Sequence, residues 1–93
     1  MKTIQDDRTE QEKETHIYFV QGHDTFLSGW GGATGGKSYA TWACNNAAAW
    51  DEKLEQIKAR TDMADVVAFK GNNELEKRLE NKKFAHYHVY KSA

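Results

Sequence analysis

Proline is absent from the 93 residues and cysteine occurs once, as Cys44. Without proline no loop is stiffened by a fixed φ, so turns must be shaped by glycine and asparagine. A single cysteine excludes an internal disulfide. Long apolar runs are missing too, and nothing approaches the ~20 apolar residues of a membrane-spanning helix. The charged start "MKTIQDDRTEQEKE" leads only into the short run His16 to Val20 before Gln21 interrupts it, which does not read as a secretory signal. An excess of positive charge is lacking as well: the net charge is −1 and the pI about 6.4. That argues against binding dominated by phosphate neutralisation, which needs a clustered basic surface. The expectation is a cytoplasmic protein with no membrane partner.

A chain of this length makes one domain. It buries only about 60 to 65% of its unfolded surface, so its core is modest and a homodimer is a natural way to enlarge it. Six of the seven glycines fall between Gly22 and Gly36, which concentrates backbone freedom in one segment. Within that segment "GGATGGKS" satisfies G-x-x-x-x-G-K-[ST] through Gly31, Gly36, Lys37 and Ser38, the letters of a phosphate-cradling loop. The mechanism of such a loop needs a buried apolar strand before it and a helix after it, whose N-terminus meets the phosphates. "QGHDTFLSGW" is no such strand. "SYATWAC" carries Tyr39, Thr41 and Trp42, which favour a strand over a helix. The chain is also too short for the several βα units of a nucleotide hydrolase. The segment is read as a glycine-rich connection.

Residues 1–15 are polar and charged with no apolar residue after Ile4, and are expected as a flexible tail, leaving 16–93 as the folded domain. "HIYFV" (16–20) is a first strand and "SYATWAC" (38–44) a second, antiparallel to it. Asn45 and Asn46 offer caps for a helix over 47–60, with Ala47, Trp50, Leu54 and Ile57 on one face. "MADVVAF" (63–69) is a third strand, "GNNELEKRLENKK" a short Asn-capped helix with Leu75 and Leu79 as its stripe, and "FAHYHVY" (84–90) a last strand. The order β-β-α-β-α-β predicts an α+β fold, a small, mainly antiparallel four-stranded sheet with two helices on one face. The crossover through the long helix makes strands two and three parallel neighbours or leaves room for a strand between them.

Three chemistries are weighed. His86 and His88 share a strand face and, with His16, His23 or Cys44, have metal-ligand character. Simple alternation explains them without metal, with Tyr87 and Val89 packing under the helices, so no metal or cofactor is expected. Cys44 precedes the helix cap, where a thiolate would be favoured, but a buried structural cysteine is commoner. No carboxylate pair stands out, and no enzyme is expected. A sheet showing Tyr18, Tyr39, Tyr87, His86 or His88, with Lys37, Lys70, Lys77, Arg78, Lys82 and Lys83 for phosphates, suits single-stranded nucleic acid. Glu74, Glu76 and Glu80 dilute that basic run.

The glycine segment places Phe26, Leu27 and Trp30 among residues too polar for a core strand. Tryptophan is enriched at interface hot spots and glycine lets a backbone conform to a partner. The alternative is a lid folded over the sheet edge.

The segment "HDTFLSGWGGATGG", an aromatic strand, a helix and "ARTDM" entering another strand together resemble a group of small open reading frames of phages and related mobile elements. Those share a H-D-x-x-[LM]-S-G-W-G-x-A-x-G stretch and a later R-x-[DE]-M. Here His23, Asp24, Ser28, Gly29, Trp30, Gly31, Ala33, Arg60, Asp62 and Met63 carry the likeness, over roughly residues 17 to 69. The resemblance implies a phage origin. By analogy it implies an anti-defence role, as in anti-CRISPR proteins that block host effector complexes. The expectation is a non-enzymatic protein that binds and blocks a host protein complex, with Asp24, Phe26, Leu27, Trp30 and Lys37 as partner contacts. The competing expectation is a single-stranded nucleic-acid-binding module using the aromatic and histidine sheet face.

Overall fold

The computed structural model describes residues 3–24, 37–80 and 84–92. The elements run β1 (Thr3–Asp6), α1 (Glu12–Thr15), β2 (Tyr18–Asp24), β3 (Lys37–Cys44), α2 (Ala47–Lys58), β4 (Met63–Lys70), α3 (Asn72–Leu79) and β5 (Phe84–Lys91). The α+β class agrees with the sequence. Among the described residues, however, the sheet is five-stranded and mixed, in the order β1-β5-β3-β2-β4, and there are three helices. β1 lies parallel to β5 and β5 parallel to β3, while β2 is antiparallel to both β3 and β4. Thus β2 fills the place between β3 and β4, and the crossover through α2 spans it.

The expected tail is the first correction, because residues 3–16 supply the extra strand and the extra helix. Charge does not prevent this, since the charges are matched. Thr9 and Glu12 exchange hydrogen bonds, Glu12 N–H to Thr9 Oγ1 at 3.2 Å and Thr9 N–H to Glu12 Oε1 at 2.9 Å, a capping box at the head of α1. Arg8, its side chain only 3% exposed, donates to both Asp6 oxygens. Its remaining nitrogen reaches the His16 carbonyl at 3.0 Å and Asn72 Oδ1 at 2.9 Å. Asn72 in turn donates to the Lys13 carbonyl at 2.7 Å. This clasp fastens residues 3–16 to α3, and the guanidinium lies 5.0 Å over the Phe19 ring.

The second correction concerns the helices. Leu75 of α3 packs in a cluster with Phe19, Ala43, Phe69, Tyr87 and Val89. Trp50 of α2 meets Tyr18, ring centroids 5.2 Å apart, and donates from Nε1 to the Phe19 carbonyl at 2.9 Å. Tyr18 and Phe19 are successive strand residues and point to opposite faces. The two helices therefore cover opposite faces of the sheet.

Local signals otherwise act as expected for α2, where Asn46 accepts from Ala49 N–H at 2.8 Å and Ile57 is buried. At α3 the cap position is Gly71, at φ 99°, and Asn72 is instead spent on the clasp. Gly22 faces the doubled residues Asp65 and Val66 of β4, where the register slips by one and Asp65 takes φ 53°. A Cβ on Gly22 would stand 2.9 Å from Met63 Sδ, so glycine permits the close crossing.

Candidate functional site

Alternation along β5 decides which side chains can meet a partner. Tyr87 and Val89 are each 1% exposed under α3, whereas His86 and Tyr90 are exposed on the other face. On that face α2 packs on β2, β3 and β4. Toward β5 and β1 a groove of about 350 Å³ opens, lined among others by Gln5, Asp24, Ser38, Ala40, His86, His88 and Tyr90. Its depth follows from one rung of the ladder, in which Gln5 stands beside His88, His88 beside Ala40 and Ala40 beside Gly22. Ala40, small and flanked by Gly22, forms the low part and larger residues the wall.

A column of stacked groups borders the groove. The His88 and Tyr90 rings lie 3.8 Å apart at 16°, and Tyr90 and Trp42 5.6 Å apart at 23°. The Arg60 guanidinium stands 5.8 Å over Trp42 and donates to both Asp62 oxygens, at 2.9 and 2.7 Å. The Asp62 hydrogen bond holds the Arg60 pKa above its ordinary value against slight burial, and the charges of Asp62, Asp24 and Tyr90 add to it. His88 Nε2–H donates to Asp7 Oδ2 at 3.1 Å. With Asp7, Asp24 and Asp62 against Arg60, this face carries more carboxylates than guanidinium.

Of the contacts expected from sequence, Asp24 ends β2 half-buried in the groove wall. Lys37 opens β3, paired with Phe84. Phe26, Leu27 and Trp30 lie outside the described residues. Asp24 and Lys37 are the two ends between which residues 25–36 run, so the groove and the expected interface segment adjoin. Sequence reasoning missed Gln5, Asp7, Trp42 and Arg60 as groove and column residues. The alternation Ser38, Ala40, Trp42 was a usable signal, but Gln5 and Asp7 were hidden by the reading of a tail.

The nucleic-acid platform is divided by the fold. Tyr87 is buried on the α3 face, where its hydroxyl takes the Gln21 amide at 2.6 Å and meets Thr41 Oγ1 at 3.0 Å; burial foremost raises its pKa. Tyr39 stacks on His23, and Tyr18 sits between Trp50 and the Lys70 ammonium. His86, His88 and Tyr90 line the open groove from its own face, and Tyr39 and Tyr87, whose side chains belong to the opposite face, also border it. Arg78 stands 4.6 Å over Phe69, away from it.

Other chemistries find little footing in the geometry. Lys37 and Ser38 belong to a strand, without the helix a phosphate loop requires. The Cys44 thiol is fully buried, and burial pushes its pKa up despite a Ser92 hydrogen bond and the nearby Lys53. Among the described residues no three His, Cys, Asp or Glu side chains are grouped to hold a metal ion, and no helix is long and apolar enough to cross a membrane. Comparison with protein-family models, with curated proteins and with solved structures finds no match.

Proposed function

We propose that the protein is a non-enzymatic binding protein that engages a partner protein through the groove, the stacked column and the adjoining residues 25–36. The resemblance to phage open reading frames makes a host defence complex, such as a CRISPR effector, the partner class to try first, with the protein acting stoichiometrically in the host cytoplasm. Trp30, Phe26 and Leu27 serve as apolar anchors, and Asp24 and Lys37 as polar contacts. The observation that carries this reading is the column: Tyr90 stays 37% exposed, one of the few large apolar groups at the surface among the described residues. Aromatic side chains of this kind concentrate binding energy at protein interfaces.

The same column favours the competing reading of a single-stranded nucleic-acid binder. It fits less well because the rings of His88, Tyr90 and Trp42 and the Arg60 plane already stack on one another. The surrounding carboxylates, moreover, repel phosphates.

The test is affinity capture from host lysate with and without nuclease, comparing the wild type with Tyr90→Ala and Trp30→Ala. A discrete partner that survives nuclease, is lost with either variant and rebinds as purified protein supports the proposal. Recovery of nuclease-sensitive material alone transfers the function to nucleic acid.

A further inference from the structure

We infer that the outer edge of β4 pairs with the same edge of a second copy of this chain, antiparallel and with Ala68 set against Ala68, joining two sheets into one. This goes beyond the function proposed above. The groove opens toward β5 and β1, at the far side of the sheet, and stays clear in both copies.

Backbone groups that β4 turns outward give the first argument. In the order β1-β5-β3-β2-β4 the last strand has β2 on one side and no described neighbour on the other. The Gly71 N–H donates to the Ile17 carbonyl at 2.9 Å, and Phe69 and Val67 stand opposite Phe19 and Gln21, so Val67, Phe69 and Gly71 direct their backbone groups at β2. Alternation directs those of Ala68 and Lys70, and the Val66 carbonyl, away from the sheet. Among the described residues none of these outward groups meets a backbone partner.

A second argument is that this edge complements itself. Its regular part is bounded by the positive-φ residues Asp65, at 53°, and Gly71, at 99°, and Ala68 is the middle residue between them. Turned about a two-fold axis at Ala68, two such edges exchange both hydrogen bonds of the Ala68 pair, and each Lys70 N–H meets the Val66 carbonyl of the other copy. Val67 and Phe69 then fall opposite each other on the α3 face, a β-branched and aromatic cross-strand pair of the kind that stabilises sheets. The antiparallel arrangement also sets the Lys70 end of one edge beside the Asp65 end of the other, whereas a parallel one would set like charge against like.

Access and closure form the third. Ala68 is exposed, so α2 does not overhang the edge, and its small side chain lets two copies approach. Apolar edges are commonly blunted by a charge or a bulge within the strand. Here the bulge lies before Val66, which leaves "VVAFK" (66–70) uninterrupted. The opposite edge of the sheet, β1, is only four residues long. Pairing through β4 therefore closes at two copies and does not run on as a fibre.

The experiment is analytical ultracentrifugation of the full chain from about 10 μM to 1 mM, with amide exchange followed by NMR. The expected result is a mass that rises from one chain toward two, while exchange slows at Ala68 and Lys70 and is slow at Val67 and Phe69 throughout. Ala68→Lys and Ala68→Glu each bring like charges face to face at the axis and should abolish the dimer, and mixing the two variants should restore it as a heterodimer. Ala68→Pro removes an N–H that a single chain leaves outside its sheet, so it should abolish the dimer with the circular dichroism of the fold retained. Should Ala68→Pro fail to fold, the Lys and Glu variants, at an exposed position, decide alone. A chain that stays monomeric at every concentration overturns the inference and leaves the edge to water or to a strand of another protein. A dimer indifferent to the Ala68 variants overturns it by placing the interface elsewhere, and a mixture of Lys and Glu variants that fails to associate overturns the two-fold at Ala68.

Discussion

On the α3 face β2, β3 and β5 present Phe19 and Ala43, both fully buried, and Tyr87 and Val89, each 1% exposed. One residue away on the same strand, Tyr90 is 37% exposed and His86 is open to solvent. Both faces carry aromatic groups and both carry charge, but their polar groups are used differently. Under α3, Gln21, Thr41 and Tyr87 close a buried network, and Arg8 has every nitrogen engaged within the chain. Around the groove the polar groups border open volume. The difference teaches that neighbouring residues of β5 answer to separate demands, the odd ones to folding and the even ones, on the proposed reading, to recognition. Substitutions can break that separation or sharpen it.

The largest effect is expected at Arg8. Arg8→Ala leaves the Asp6 carboxylate, the His16 carbonyl and the Asn72 amide without their shared partner. Breaking a buried ion pair in this way should cost about 3 kcal/mol, read by urea unfolding followed by circular dichroism. A loss below about 1 kcal/mol would mean that the clasp is ornamental to the α3 face. Tyr87→Phe comes next. It removes the hydroxyl that accepts from Gln21 and Thr41, leaving the buried Thr41 hydroxyl without its acceptor and the Gln21 amide nitrogen with Thr41 alone, for about 1 to 3 kcal/mol, with no change in capture of a partner. If instead it abolished capture and left stability intact, the division between the faces would fail.

Smaller effects belong to the α2 side. Asn46→Ala removes the cap on Ala49 N–H and should cost about 1 kcal/mol. Tyr90→Ala should lower stability by less than about 1 kcal/mol while removing partner capture, the inverse of Tyr87→Phe. A paired measurement of unfolding and capture on these two neighbours of one strand is the sharpest form of the comparison.

The sequence made some of this legible. The inward and outward halves of β5 followed from alternation in "FAHYHVY", and α2 from its cap and its apolar spacing. The first strand and α1 did not. Residues 1–15 lack the apolar residues that ordinarily mark an element, and what holds residues 3–16 is a buried guanidinium met by polar partners. That cannot be read from Arg8 without knowing that Asp6, His16 and Asn72 converge on it. "TEQE" did contain the capping-box signal, Thr9 followed three later by Glu12. The opposite placement of the helices was equally hidden, because both have an apolar stripe and a stripe does not say which side of a sheet it will meet. The groove depends on β1 and β5 pairing, a contact between the chain's two ends.

Acid should loosen the molecule unevenly, and the edge held by carboxylates should go first. Glu12 has its pKa lowered from 4.5 to about 2, foremost by the Thr9 backbone N–H and then by the Lys91 ammonium at 2.9 Å. Burial pushes the Asp6 carboxyl up, but the hydrogen bonds and charge of Arg8 outweigh it and hold that pKa below its ordinary value. A folded-state pKa below the unfolded one means that the unfolded chain takes up the proton more readily. The stabilisation from Glu12 is therefore fully present above pH 4.5 and is lost as the pH falls toward about 2. Both groups tie residues 3–16 to the sheet, while the buried network of Gln21, Thr41 and Tyr87 holds no carboxylate. Hydrogen exchange, corrected for its intrinsic acid dependence, should show protection lost in β1 across that window while β2 and β3 keep theirs. Simultaneous loss in all three strands would mean that the clasp and the core unfold as one unit, and that the α3 face owes its order to the charged segment as much as to its apolar cluster.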